Sequence, residues 1–246
     1  MEKENITKDM NGNTKKEIKS DVYNVDCVTF MRTLPDNYFN LCIADPPYGV
    51  SYARGKNGYG VTVDKLPTHS DVDWDAKIPE KAFFDELLRV SDKVIIWGGN
   101  YFTHLLPVSK CWIVWDKCDG MENKSVFADA ELAWTNMTKV VSLYRLRQLG
   151  FISATQDSDR IHPTQKPTEL YAWLLRKYAT EGDRIFDPML GSGSSRIAAY
   201  KMGFDFVGCE LDKEYFDKGN ERFNRECRGV YKTADGGTMV QGSLFD

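Results

Sequence analysis

Two short stretches hold residue types that suit chemistry as well as packing. The first, "ADPPYGV" over 44–50, follows an apolar run and sets Asp45 before Pro46, Pro47 and Tyr48. Structurally it reads as a stiff exit from a strand, since proline fixes φ, donates no hydrogen bond and restricts its predecessor. Chemically it reads as a grip for an exocyclic base amine. Such an amine is a poor nucleophile because its lone pair is delocalised into the ring. If a carboxylate accepts one N–H and a backbone carbonyl the other, the nitrogen is drawn toward tetrahedral geometry. Its lone pair can then face an electrophilic methyl group. Asp45 offers the carboxylate, Pro46 a carbonyl held between locked φ angles, and Tyr48 a ring for stacking. A base stacked on an aromatic side chain gains roughly 1–3 kcal/mol. Most of the catalysis would be positioning.

The second stretch is "RIFDPMLGSGSSRIAAYKMGFDFVGCELD". A strand ends at Asp187, a turn holds Gly191 and Gly193, a helix begins near Ser194, and a further strand ends at Glu210. Glycine lets a backbone come close to a ligand, and a helix start offers unpaired N–H groups. Glu210 follows Gly191 at close to the roughly 20-residue interval at which an acid meets ribose hydroxyls in nucleotide-binding βαβ units. No Walker lysine follows the glycines, which disfavours a nucleoside triphosphate. Asp187 would repel a pyrophosphate but would accept from an ammonium group. That combination suits S-adenosylmethionine, which has an amino acid end, a sulfonium and a ribose, and no phosphate.

These residues need a scaffold of alternating strands and helices. "NLCIA", "KVIIW", "CWIVW", "DRIFD" and "DFVGCE" are apolar runs of strand length, and the pattern predicts an α/β fold. "DAELAW" (129–134) and "VVSLYRLR" (140–147) read as less buried, the second as an antiparallel edge. Helical patterns lie between: "PEKAFFDELLRV" with Pro79 in its first turn, "PTELYAWLLRKYA" with Thr168 as cap, and "KEYFDKGNERFNREC". Residues 51–78 and 148–161 read as loops.

The chain of 246 residues is 42% hydrophobic and 28% charged, which suits a sizeable core in one domain. Residues 1–20 read as a flexible lead-in without a signal core, 21–228 as the single domain, and 229–246 as a flexible tail. No run approaches the length of a membrane span, and the chain is expected to be cytosolic. The six cysteines are scattered without C-x-x-C spacing, so reduced thiols and no metal site are expected. A net charge of −4 argues against whole-surface affinity for nucleic acid. Residues 139–166 leave room for a local basic groove, with Lys139, Arg145, Arg147, Arg160 and Lys166 against Asp157 and Asp159.

"ADPPYGV", "HPTQKP" (162–167) and "FDPMLGSGSS" (186–195), in that order, resemble the β-group of DNA amino-methyltransferases, and the resemblance runs from residue 22 to about 226. It implies a Rossmann-like, S-adenosylmethionine-dependent methyltransferase fold with a mostly parallel, seven-stranded sheet flanked by helices. It makes Asp45, Pro46, Pro47 and Tyr48 the catalytic set, acting on a base flipped out of double-stranded DNA. Asp187, Gly191, Gly193 and Ser194 then surround the methionine end of the cofactor. Glu210 meets the ribose, Leu211 lies against the adenine, and Asp26 and Cys27 sit where the family binds that adenine. Asp26 also reads as a helix cap. Thr164 and Lys166 become candidates for the cofactor carboxylate, with a solvated lysine as the plainer reading of Lys166. Asn100, Tyr101, Asp116 and Lys117 are weaker candidates near the target base.

An acid in the first motif position is typical of adenine-N6 enzymes in the group, with cytosine-N4 transfer as the alternative. A catalytically silent DNA-associated or clamp-associated module of the same fold is a further one. The family's large recognition segment is short here, so recognition falls to loops near 51–78 and 136–161, or to a homodimer. "QGSLF" (241–245) resembles the peptide that binds bacterial sliding clamps, and equally reads as a frayed terminus.

Overall fold

The computed structural model describes residues 6–8, 14–50, 77–122, 128–149, 152–153, 161–162, 164–232 and 237–240. Its centre is an eight-stranded sheet: β1 Ser20–Tyr23, β2 Phe39–Ala44, β3 Ser91–Trp97, β4 Trp112–Asp116, β5 Ala130–Thr135, β6 Ser142–Arg145, β7 Arg184–Asp187 and β8 Asp205–Cys209. Their order across the sheet is β1-β8-β7-β2-β3-β5-β4-β6. Only β5 runs against its neighbours, so the sheet is mostly parallel, with eight strands where the resemblance implied seven. Its hydrophobic runs are short and nearly unbroken in β2 and β3 because helices cover both faces.

Cys27–Met31 (α1) and Lys81–Val90 (α2) cover one face through Met31, Phe83, Phe84 and Leu87. Thr168–Tyr178 (α3) and Ser194–Lys201 (α4) cover the other through Leu170, Leu174, Tyr178 and Ala198. Lys213–Arg228 (α5) packs beside α4 and buries Phe223.

Several local expectations are corrected. The helix α2 starts at Lys81 with Glu80 as its cap, leaving Pro79 outside. Pro167 occupies the cap position of α3, and the Thr168 hydroxyl instead accepts from Arg222 Nη2 at 3.3 Å. β6 is an edge strand, but it pairs parallel to β4. The antiparallel strand is β5, which is interior, so Ala133, Trp134 and Thr135 are buried. β1 begins inside the expected lead-in, and 6–8 pairs with 14–16 in a short antiparallel ribbon. Val230–Lys232 pairs likewise with Thr238–Val240. Residues 51–76 and 241–246 lie outside the described residues, and with them most of the first expected recognition loop and the clamp-like peptide.

Among the described residues no helix is long and apolar enough to cross a membrane, and no cluster of His, Cys, Asp or Glu suits a metal. The six cysteines are unpaired, five of them buried.

Candidate active site

The sheet order sets the site. From β7 the chain crosses by α4 to β8, while from β2 it crosses by α2 to β3 on the other side and the other face. The two crossovers diverge at the β7–β2 seam, and in open α/β sheets ligands bind in the crevice beyond the carboxyl ends of the strands at such a point. Asp187 ends β7 and Asp45 follows β2, so the two stretches singled out by their chemistry face one crevice.

On the β7–β8 side, Asp187 is 2% exposed. Its Oδ1 accepts from the Met189 N–H at 3.0 Å and its Oδ2 from the Ser195 hydroxyl at 2.5 Å. Burial outweighs both bonds and pushes the carboxyl up to about 7. Gly193 caps α4 with φ +76°, which favours glycine. Glu210 closes the loop from below: its Oε2 accepts from the Gly191 N–H at 2.7 Å and its Oε1 from the Asp212 N–H at 2.9 Å. Burial raises the Glu210 carboxyl in spite of these bonds. Asn24, just past β1, donates to the carbonyls of Glu210 (2.8 Å) and Leu211 (3.0 Å), and the Leu211 side chain is 71% exposed.

Two further residues of this side serve local structure. Asp26 caps α1, its Oδ1 accepting from the Thr29 N–H at 2.8 Å and hydroxyl at 2.7 Å. Cys27 is buried, and burial, followed by the charge of Asp26, pushes its thiol up to about 12, so it is a neutral apolar wall. The Ser194 hydroxyl accepts from Arg222 Nη1 at 2.8 Å. Arg222 is 1% exposed and also donates to the Ser192 carbonyl at 3.2 Å, so it braces the loop from beneath. The sequence reading missed it, because a helical arginine ordinarily faces solvent.

On the β2–β3 side, the Tyr48 hydroxyl donates to Asp45 Oδ1 at 2.7 Å. The Tyr48 ring stacks on Tyr101 with centroids 5.1 Å apart and planes at 13°. It also lies over Gly98, where a Cβ would come within 2.3 Å of the ring. Lys166 is 5% exposed and donates to Asp45 Oδ2 at 2.6 Å and to the Tyr48 oxygen at 3.1 Å. It pairs with Glu131 Oε2 at 3.1 Å, and Lys117 with Glu131 Oε1 at 2.9 Å. Burial alone would raise the Glu131 carboxyl, but Lys166 and then Lys117 hold it at about 2. Lys166 is therefore a buried partner of carboxylates, which corrects the reading of a solvated side chain. In the same segment the Thr164 hydroxyl lies 3.1 Å from His162 Nδ1, and the His162 ring packs on Tyr215 at 4.5 Å. Asp116 accepts from the N–H groups of Cys118 and Gly120 and so serves a turn. Between the halves lies buried Tyr171, whose phenol is raised by burial and then by the fields of Asp45, Asp187 and Glu131.

Residues 107–221 match the model of the DNA methylase family. The type II methyltransferase M.HpaI of Haemophilus parainfluenzae is 23% identical over 239 residues, spanning 83% of this chain and 74% of that protein. The type II methyltransferase M2.DpnII of Streptococcus pneumoniae is 25% identical over 242 residues, spanning 82% and 88%. The crystal structure of the M1.HpyAVI–SAM complex superposes with a TM-score of 0.53 at 21% identity, covering 83% of this chain and 98% of that one. The fold is the Rossmann-like fold of the methyltransferase structures on which the chain superposes. The chain is thus similar to DNA methylases over residues 107–221, and to the two type II methyltransferases over most of its length.

Proposed function

We propose that the protein transfers a methyl group from S-adenosylmethionine to the N6 amine of adenine in DNA. The observation that carries this reading is Asp45, a carboxylate just past the end of β2 that faces the same crevice as the glycine loop after β7. The residues of that loop fit the cofactor. Asp187 suits its ammonium, Gly191 and Gly193 a close backbone approach, Glu210 the ribose hydroxyls, and the exposed Leu211 the adenine. When bound, the cofactor supplies a methyl carbon on a sulfonium that leaves as a neutral thioether. As the new N–C bond forms and the S–C bond breaks, the amine nitrogen becomes cationic and gives up one proton, to Asp45 or to solvent.

Asp45 Oδ1, now occupied by the Tyr48 hydroxyl, is the acceptor assigned to the first N–H of the amine. The Pro46 carbonyl is assigned to the second. Tyr48 is the stacking platform, with its ring held by Tyr101 and Gly98. Cytosine-N4 transfer needs the same groups, so the base is decided by product.

The test is direct. The full chain is incubated with labelled methyl donor and double-stranded DNA, and the DNA is digested to nucleosides. Label in N6-methyl-2′-deoxyadenosine supports the reading. Label in N4-methyl-2′-deoxycytidine replaces adenine by cytosine, and an unlabelled digest from folded, cofactor-binding protein leaves the silent module.

A further inference from the structure

We infer that Glu131 is a positioning residue for methyl transfer: it pins the Lys166 ammonium, which in turn aims the Asp45 carboxylate at the incoming amine. The inference rests on the methyltransferase reading above.

The backbone explains why a residue so far along the chain reaches Asp45. β5 runs against its neighbours, so its first residues, and not its last, lie at the carboxyl ends of the parallel strands. Trp97, the last residue of β3, is level with Ala133. Glu131 therefore stands two residues beyond the end of β3, at the rim of the crevice.

Lys166 makes two hydrogen bonds there, to Asp45 Oδ2 and the Tyr48 oxygen, and an ion pair with Glu131 Oε2. An ammonium has three N–H donors and no acceptor. Three oxygens surround this one: Asp45 Oδ2 at 2.6 Å, the Tyr48 oxygen at 3.1 Å and Glu131 Oε2 at 3.1 Å. The edges of the cage are aromatic, with the Trp97 and Tyr48 ring centroids 5.5 Å and 5.6 Å from Nζ. Glu131 is in turn fixed by Lys117, whose Nζ lies 2.9 Å from Oε1 and whose own N–H donates to the Asp129 carbonyl at 2.8 Å.

Core packing does not call for this arrangement. Replacing buried ion pairs by apolar side chains of similar volume is often neutral or stabilising. The network makes sense as an orienting device. Asp45 has two oxygens with different partners: Oδ2 is held by a cation that is itself held, and Oδ1 meets a neutral hydroxyl that an amine N–H can replace. With Lys166 tied to Glu131, the carboxylate cannot rotate when Tyr48 yields.

The experiment reads both links on the full chain. A short pulse of amine-reactive reagent followed by mass spectrometry compares Lys166 with the exposed Lys81 as reference. In the native protein Lys166 is protected, and in Glu131→Gln its labelling rises toward that of Lys81. Single-turnover transfer in Glu131→Gln falls by about 10- to 100-fold, with the Kd for S-adenosylmethionine unchanged. Lys166→Gln falls at least as far, and the double variant is no slower than Lys166→Gln alone. Glu131→Asp, with its shorter reach, gives intermediate labelling and rate, and serves if Glu131→Gln does not fold. The inference is overturned by unchanged Lys166 labelling, by an unchanged transfer rate, or by losses that multiply in the double variant. If the native protein transfers no methyl to DNA, the underlying reading fails instead, and the labelling still reports whether Glu131 holds Lys166.

Discussion

The Glu210 carboxylate accepts the Gly191 N–H at 2.7 Å, so the acid at the end of β8 clamps the turn that follows β7. One side chain thus shapes the loop and, in the proposed role, receives ribose hydroxyls. Glu210→Ala removes both. Hydrogen bonds to a charged group contribute about 1.5–3 kcal/mol, so cofactor affinity is expected to fall roughly 10- to 100-fold. Glu210→Gln keeps an acceptor for Gly191 and should lose less. Calorimetric titration with S-adenosylmethionine distinguishes the two, and equal losses would count against a dual role.

Asp187 predicts how cofactor binding depends on pH. Its carboxyl is raised to about 7 by burial, so in the ligand-free protein it is mostly protonated below that pH. A bound ammonium favours the ionised form, so binding releases a proton there. Affinity is expected to fall by up to about tenfold per unit below about pH 7, and to fall again where the cofactor's own α-ammonium loses its proton, at about pH 8. Titrations between pH 5.5 and 8.5 in buffers of different ionisation enthalpy check both the slope and the proton release. Asp187→Asn should bind more weakly throughout and flatten the slope.

The Asp45→Ala variant separates chemistry from binding. The carboxylate is the proposed amine acceptor and makes no hydrogen bond with the glycine loop. Transfer is expected to fall by at least about 100-fold, while the Kd for the cofactor stays near that of the native chain. Loss of cofactor binding with the fold intact would move Asp45 out of the catalytic role.

How much of this was legible in the sequence depends on direction and reach along the chain. Asp45, the glycine turn and Glu210 stood out because each follows a short apolar run directly, and a parallel strand delivers the residue after its end to the crevice. Glu131 did not, because an antiparallel strand delivers its beginning, and strand direction is set by pairing partners that periodicity does not reveal. Arg222 was hidden for another reason. It lies on a polar helix, α5, and is buried only because Ser192, Ser194 and Thr168 converge on it from two other segments. The strand Ser20–Tyr23 went unread because its burial alternates over only four residues.

Gly98 is the position where the backbone itself limits the site. It has φ +69°, and an added Cβ would lie 2.3 Å from Tyr48 Cε1 and 2.8 Å from Cζ. The neighbour is a rigid ring, already stacked on Tyr101 and bonded through its hydroxyl to Asp45. Gly98→Ala must therefore displace Tyr48 as well as strain its own backbone, which costs of order 1–3 kcal/mol for such a conformation. The expected outcome is a modest loss in stability to denaturant and a larger loss in single-turnover transfer, with the cofactor Kd unchanged. A Gly98→Ala protein that loses stability yet transfers methyl at the native rate would show that the Tyr48 ring does not need its present place for the reaction.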